Sequence, residues 1–240
     1  MSRLMEDRVP LKRRRLYEDV IDHLEAAINS GEFKPGDFLP SERDLMNHFG
    51  VGRPSIREAL FALRRMGLIS MKAGERARVA TPTPSALVGE LSGLARHLLA
   101  APDGMRNFQQ ARMLFESALA QHAARVATPD DIAALSAALR ANKLSKSDPD
   151  AFEKTDVQFH FVIAQIARNP IFTALHAGLV EWLAEQRAAT NSGEESRKMA
   201  ITAHKKIYDA IAARDPTAAG DAMRDHLVQV EELYWEKKGR

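Results

Sequence analysis

Residues Ser41–Glu58 read SERDLMNHFGVGRPSIRE, two short helical patterns divided by a glycine-containing turn. Ser41 has the chemistry of an N-cap, and Glu42 and Asp44 suit the positive end of the helix it would start. Leu45 and Phe49 supply that helix's buried face, and Gly50 ends it in a conformation other residues resist. A second helix begins near Pro54 or Ser55 and runs to about Met66. Ile56, Ala59, Leu60 and Leu63 face inward at helical spacing, which leaves Arg53, Ser55 and Arg57 on the exposed first turns. In a helix-turn-helix those positions meet base edges, and an arginine fork suits the paired acceptors of guanine. The bland alternative is that these arginines only pair with neighbouring carboxylates.

Outward from this segment, Leu16, Val20, Leu24, Ala27 and Ile28 predict a first helix from about Leu16 to Ser30. Gly31 stops it, and the stretch from Phe33 to Asp37 reads as a turn. Beyond Gly67, residues 68–71 and 76–79 can pair as a small hairpin with Lys72-Ala73-Gly74-Glu75 at its tip. Such a wing could reach the minor groove or flanking phosphates with Lys72, Arg76 or Arg78, and being marginal alone it must pack on the helices. Glu75 is expected to pair with a basic neighbour. Residues 1–80 hold 15 Lys and Arg against 12 Asp and Glu, so the chain's basic excess lies here. It is densest at Lys12, Arg13, Arg14 and Arg15, a run that reads either as a phosphate-binding arm or as a solvated one.

Two prolines, Pro82 and Pro84, mark a stiff break, and the linker is placed at 81–86, between a DNA-binding domain (1–80) and a second domain (87–240). Helical periodicity then predicts helices over 86–100, 104–127, 129–145, 149–167, 170–190, 194–213 and 216–236. No strand pattern appears among them, so the fold class is mainly α: a winged helix-turn-helix followed by an all-helical bundle. The chain has 240 residues and no cysteine, which excludes disulfides and thiolate metal sites. No apolar stretch reaches membrane-spanning length, and the first residues are too polar for a signal peptide. The expected location is the cytoplasm, with no membrane partner.

In the second domain Asp156 and His160 share a helix face, and His204 and His226 fall at core-facing positions of later helices. One acid and three histidines make a plausible N3O metal set. Their wide spacings are not diagnostic, and each histidine taken singly also reads as a satisfied core residue. His23, His48, His97, His122 and His176 carry that bland reading. Arg112 and Glu116, one turn apart, are either a surface ion pair or an inward pair. In the second case Arg112 could hold a ligand's carboxylate in bidentate fashion. Arg187 and Lys205 are further candidates for the same pocket.

The stretches Pro40–Leu45 (PSERDL) and Gly52–Leu60 (GRPSIREAL), then Gly67-Leu68-Ile69 and Gly74, resemble the GntR family of bacterial transcription regulators. The subgroup is the one with a FadR-type helical ligand-binding (FCD) domain. The resemblance implies DNA contacts at Arg43, Arg53, Ser55 and Arg57, with Gly74 at the wing tip. It also implies a metal quartet of Asp156, His160, His204 and His226 for a divalent metal, zinc, and a ligand-side arginine at Arg112. Within the family the stretches Phe49–Ile69, Gly74–Val79 and Gly89–Leu99 are most similar to regulators that respond to sialic acid. That implies a homodimeric repressor on double-stranded operator DNA, released by N-acetylneuraminate bound beside the metal. The alternatives are the same regulator answering another sugar acid or small carboxylate, and, remotely, a metal-dependent hydrolase joined to a DNA-binding module. Its sole candidate for a spare general base is Glu116, so no enzyme activity is expected.

Overall fold

The computed structural model describes residues 16–72, 74–81, 83–191 and 193–239. The basic run Lys12–Arg15 and Ala73 of the wing tip lie outside the described residues. The chain divides into two compact units, Met1–Ala86 and Leu87–Arg240.

In the first unit, α1 (Leu16–Asn29) buries Val20 and Leu24, α2 (Glu42–Phe49) buries Leu45, and α3 (Arg53–Arg65) buries Ile56, Ala59, Leu60 and Leu63. These side chains form one core with Leu39, Ile69 and Val79. Each large apolar side chain fully removed from water stabilises the unit by roughly 1.5–3 kcal/mol before chain entropy is counted. Ser41 Oγ accepts from the Asp44 N–H at 3.2 Å and Gly50 closes α2 at φ 64°, as a cap and a left-handed stop require.

The wing strands are shorter than the hairpin expected over 68–71 and 76–79: β1 (Ile69–Ser70) pairs antiparallel with β2 (Arg78–Val79), Ile69 opposite Val79. Support for the hairpin comes from the chain ahead of α2. The Val79 N–H donates to Asp37 O at 2.8 Å and the Leu39 N–H to Ala77 O at 2.8 Å. A segment that reads as turn and connector thereby lies along the free edge of β2, which resolves the marginality of a two-stranded hairpin.

The second unit is helical throughout its described residues: α4 (Pro84–Leu99), α5 (Gly104–Val126), α6 (Pro129–Leu144), α7 (Pro149–Ile166), α8 (Pro170–Trp182), α9 (Ala184–Thr190), α10 (Glu194–Ala212) and α11 (Pro216–Lys238). Leu119, Leu135, Phe159, Ile163, Ile207, Ile211 and Met223 are among its core. Thr128 and Asp131 form a reciprocal capping box at the start of α6, and Asp215 caps α11 by accepting from the Ala218 N–H.

Two boundaries differ from expectation. Helix α4 begins at Pro84, inside the stretch 81–86 read as linker, with Thr83 Oγ1 accepting from the Ala86 N–H at 3.2 Å. Proline is tolerated in a first helical turn, where its missing N–H costs nothing. The single helix expected over 170–190 breaks at Leu183, whose φ of −98° and ψ of 21° leave the helical region. Leu183 is fully buried, and the short α9 that follows buries Gln186, Arg187 and Thr190.

Candidate nucleic-acid interface and metal centre

Helix α3 presents its first turn outward because Ile56, Ala59, Leu60 and Leu63 hold the opposite face in the core. Arg53 and Arg57 are 64% and 56% exposed, with Glu42 of α2 at 3.6 Å and 3.9 Å from their Nε atoms. Ion pairs this long and this wet are worth little, so Glu42 does not tie up either guanidinium group. Arg43 is exposed and Ser55 half-buried. At the wing, Gly74 takes φ 80°, and Lys72, Arg76 and Arg78 are exposed. Phe38 carries both wing arginines on its ring, Arg78 at 4.3 Å and Arg76 at 5.0 Å from the centroid. Phe38 was not singled out from sequence, since an isolated aromatic before Leu39-Pro40 carries no signal of that stacking.

In the helical unit, α7, α10 and α11 bring His160, His204 and His226 together, all buried, with ligand atoms within 4.8 Å of one another. The Nε2 atoms converge: His204 Nε2 lies 3.2 Å from that of His160 and 3.3 Å from that of His226. Asp156, one turn before His160, places Oδ1 3.6 Å from His204 Nε2. The group could hold a metal ion. Burial, with the neighbouring histidines next in weight, drives the pKa values of His204 and His226 well below the usual histidine range, so both are neutral lone-pair donors at pH 7. Burial also raises the Asp156 carboxyl, and His160 and Arg112 offset part of that. Converging imidazole nitrogens with a buried carboxylate beside them suit a borderline divalent cation, which would satisfy all of them at once.

The second ring nitrogens have three different surroundings. His160 Nδ1 lies 2.5 Å from Glu116 Oε2. His204 Nδ1 lies 3.0 Å from Asn142 Oδ1, and its ring stacks on Phe159 with centroids 4.4 Å apart. His226 Nδ1 has no hydrogen-bond partner among the described residues.

Arg112 and Glu116 are the inward pair, not the surface one. Arg112 Nε donates to Glu116 Oε1 at 2.6 Å, and the two side chains are 7% and 2% exposed. Burial works to raise the Glu116 carboxyl, yet the Arg112 guanidinium and then His160 hold it well below the usual carboxylate range. Glu116 is therefore an ionised bridge between Arg112 and His160, and its oxygens face these two groups. Arg187 on α9 is buried, 3.5 Å from Glu153 through Nε, with Nε and Nη1 lacking hydrogen-bond partners among the described residues.

Lys205 does not reach this pocket. It is 58% exposed and pairs with Asp209 along α10. Because His204 points into the bundle, the next residue is turned about 100° around the helix, toward solvent. His176 on α8, read from sequence as a satisfied core histidine, is buried with neither ring nitrogen hydrogen-bonded among the described residues. Its Nε2 stands 3.9 Å from Glu116 Oε1. Asn142 was also missed, and a single asparagine late in a helix offers no cue to a contact 62 residues away.

Residues 16–79 match the family described as bacterial regulatory proteins, gntR family, and residues 108–229 match the FCD domain. The chain is 45% identical over 229 residues to the HTH-type transcriptional repressor NanR of an Enterobacter strain, covering 95% of this chain and 88% of that protein. It is 44% identical to the protein of the same name from Cronobacter sakazakii, over 97% of this chain and 92% of the relative. Among solved structures, a GntR protein of Streptococcus agalactiae superposes with a TM-score of 0.63 at 24% identity, over 90% of this chain and 99% of that one. Escherichia coli McbR/YncC superposes with a TM-score of 0.53 at 16% identity, over 94% of this chain and 100% of that one. These two likenesses are of fold.

Proposed function

Because the chain belongs to the gntR family of bacterial regulatory proteins, with an FCD domain behind its winged helix, we propose that it is an operator-binding transcriptional repressor controlled by a small acidic effector. It is a regulator and not an enzyme. The relatives named as transcriptional repressors, nearly half identical over almost the whole chain, support the first part. The effector we assign is N-acetylneuraminate, a sugar acid whose carboxylate needs cationic, hydrogen-bonding partners once it leaves water.

The observation that carries this reading is the buried set on α5, α7, α9, α10 and α11: three converging histidine nitrogens with Asp156, flanked by Arg112 and Arg187. His160, His204, His226 and Asp156 would hold a divalent ion, zinc by the nitrogen-rich donor set. When bound, the ion supplies positive charge and open coordination positions for a carboxylate oxygen. Arg187, whose Nε and Nη1 have no hydrogen-bond partner among the described residues, adds a cationic donor for the effector. Arg112, held by Glu116 through Nε, would offer its remaining N–H donors to the effector's carboxylate.

On the DNA side, Arg53, Ser55 and Arg57 enter the major groove, with Arg43 beside them. Lys72, Arg76 and the Gly74 tip follow the flanking backbone. The protein acts as a homodimer, so that two recognition helices address related half-sites. An exposed apolar stripe on α4, Leu91, Leu94 and Leu98 at helical spacing, supports association through the helical unit. Among the described residues no helix is long and apolar enough to cross a membrane, and operator DNA places the protein in the cytoplasm.

Effector binding must favour one arrangement of the reading heads over another, or no regulation follows. The test is operator affinity by fluorescence anisotropy, with and without saturating N-acetylneuraminate, on zinc-loaded protein. We expect affinity to fall by about 5–150-fold. Unchanged affinity alongside calorimetric binding of the sugar would overturn release as the mechanism. No calorimetric binding would send the assignment to another small acid.

A further inference from the structure

We propose that Asn142 is a positioning residue for the metal centre, fixing His204 as the tautomer protonated at Nδ1 and aiming its Nε2 lone pair at the point where the three histidines converge. The role rests on the metal-binding reading above, while the tautomer follows from hydrogen-bond polarity alone.

Asn142 is fully buried near the end of α6. One end of its amide lies 3.0 Å from His204 Nδ1, and the other lies 3.2 Å from Thr155 Oγ1. Which end is oxygen is decided by Thr155. Its hydroxyl has one hydrogen and stands 3.0 Å from each of two backbone carbonyls, Ala151 O and Phe152 O. Carbonyls only accept, and the Ser145 hydroxyl beside it donates to Asn142 O at 2.9 Å, so the Thr155 hydrogen goes to a backbone carbonyl or to Ser145 Oγ and its lone pairs are left to accept. They receive the Asn142 Nδ2–H, with the Ser145 hydroxyl as a second neighbour at 2.7 Å. The amide oxygen is then turned to His204. An amide oxygen cannot donate, so His204 Nδ1 must carry the ring proton, leaving Nε2 bare. Phe159, stacked on the ring with an interplanar angle of 21°, fixes the ring plane while Asn142 fixes its direction.

The arrangement has a purpose beyond filling a core. His204 is the middle nitrogen of the convergence, 3.2 Å and 3.3 Å from its two neighbours. In the opposite tautomer it would put a hydrogen where a ligating lone pair is needed. Asn142 prevents this without adding a charge, whereas Glu116 beside His160 brings a full negative charge. Outer partners of ligating histidines orient the ring and set which nitrogen is free. The chain from Thr155 in the second turn of α7, through Asn142 on α6, to His204 on α10 is such a partner set.

The experiment uses the full chain. Two-bond nitrogen–proton NMR correlations of 15N-histidine-labelled, metal-stripped protein report the His204 tautomer. Competition with a chelator measures Zn2+ affinity for the wild type, N142L and N142D. We expect the Nδ1–H pattern at His204 and a loss in N142L of about 10–100-fold in Zn2+ affinity. N142D, whose carboxylate still accepts from Nδ1–H, should stay close to the wild type. A folded N142L with wild-type affinity overturns the role, and so does an Nε2–H pattern in the wild type. If N142L fails to fold, T155V, which removes the hydroxyl that orients the amide, replaces it with the same expected loss. A wild-type chain that takes up no Zn2+ overturns the metal reading as well, whereas uptake indifferent to N142L and T155V overturns this role alone.

Discussion

At the scale of single residues, burial decides what His176 does. Burial pushes its pKa from 6.5 down to about 4, with the nearby Glu116 carboxylate only partly opposing the shift. The unfolded chain takes up a proton near pH 6.5 that the folded chain refuses until about pH 4. Stability is therefore full above pH 6.5 and lost as pH falls through that window, by about 3 kcal/mol for this group. His204 and His226 act in the same direction. Denaturant midpoints of metal-free protein between pH 7.5 and 4.5 should fall below pH 6.5, and fall less steeply in His176→Leu. Parallel slopes in the two proteins would contradict the assignment. On the DNA side, Arg57→Ala should cost ~1–3 kcal/mol of discrimination between operator and scrambled DNA if it makes a bidentate base contact. Equal losses on both DNAs would make it a phosphate contact. The candidate site is legible in sequence where periodicity reports facing, as for His160, His204 and His226 on their helices. It is illegible where facing depends on a neighbour from another helix. Arg112 reads equally as surface or interior until α7 packs against its helix, and Lys205 reads as a pocket residue only while its helix has no fixed rotation.

At the scale of elements, the helix-turn-helix is readable because its signals are chemical and local. Ser41 accepts the Asp44 N–H, and Gly50 sits at φ 64° with nothing near the place its Cβ would occupy. A side chain at Gly50 thus meets no steric neighbour and suffers backbone strain alone. Gly50→Ala should lower stability by roughly 1–2 kcal/mol, and Ser41→Ala by about 1 kcal/mol through the lost cap. Urea melts monitored by circular dichroism check both, and a neutral Gly50→Ala would show that the turn relaxes to a right-handed form. The break at Leu183 had no such signal. Leucine and alanine favour helix, no glycine or proline marks the bend, and the break follows from burial of Leu183 in the assembled bundle. Local propensity cannot report a boundary set by tertiary packing. The wing was legible as a hairpin, but its third edge, from Asp37 to Leu39, was not, because sheet partners distant in sequence leave no periodic trace in so short a segment.

At the scale of the whole molecule, the proposed ligand set confines the effect of metal to one part of the chain. Asp156, His160, His204 and His226 all belong to the unit Leu87–Arg240, on α7, α10 and α11. The core of the other unit, built on Leu39, Leu45, Ile56 and Leu63 among others, contains none of them. A ligand that binds only the folded form stabilises by mass action, about 4 kcal/mol when free metal exceeds Kd a thousandfold. Contacts between neutral imidazoles, 3.2 Å and 3.3 Å long at Nε2, tie α7, α10 and α11 together far more weakly than coordination bonds to one divalent ion would. Differential scanning calorimetry of the intact chain at pH 7.5, with Zn2+ and then with excess chelator, should show one transition moving down in temperature and the amino-terminal transition keeping its place. The chain's two tryptophans, Trp182 and Trp235, both lie in the helical unit, so tryptophan fluorescence follows that transition directly. If chelation leaves the tryptophan transition unmoved, the histidine cluster is a structural core and not a metal centre. If it shifts the amino-terminal transition equally, the two units unfold together and metal occupancy is transmitted to the reading head.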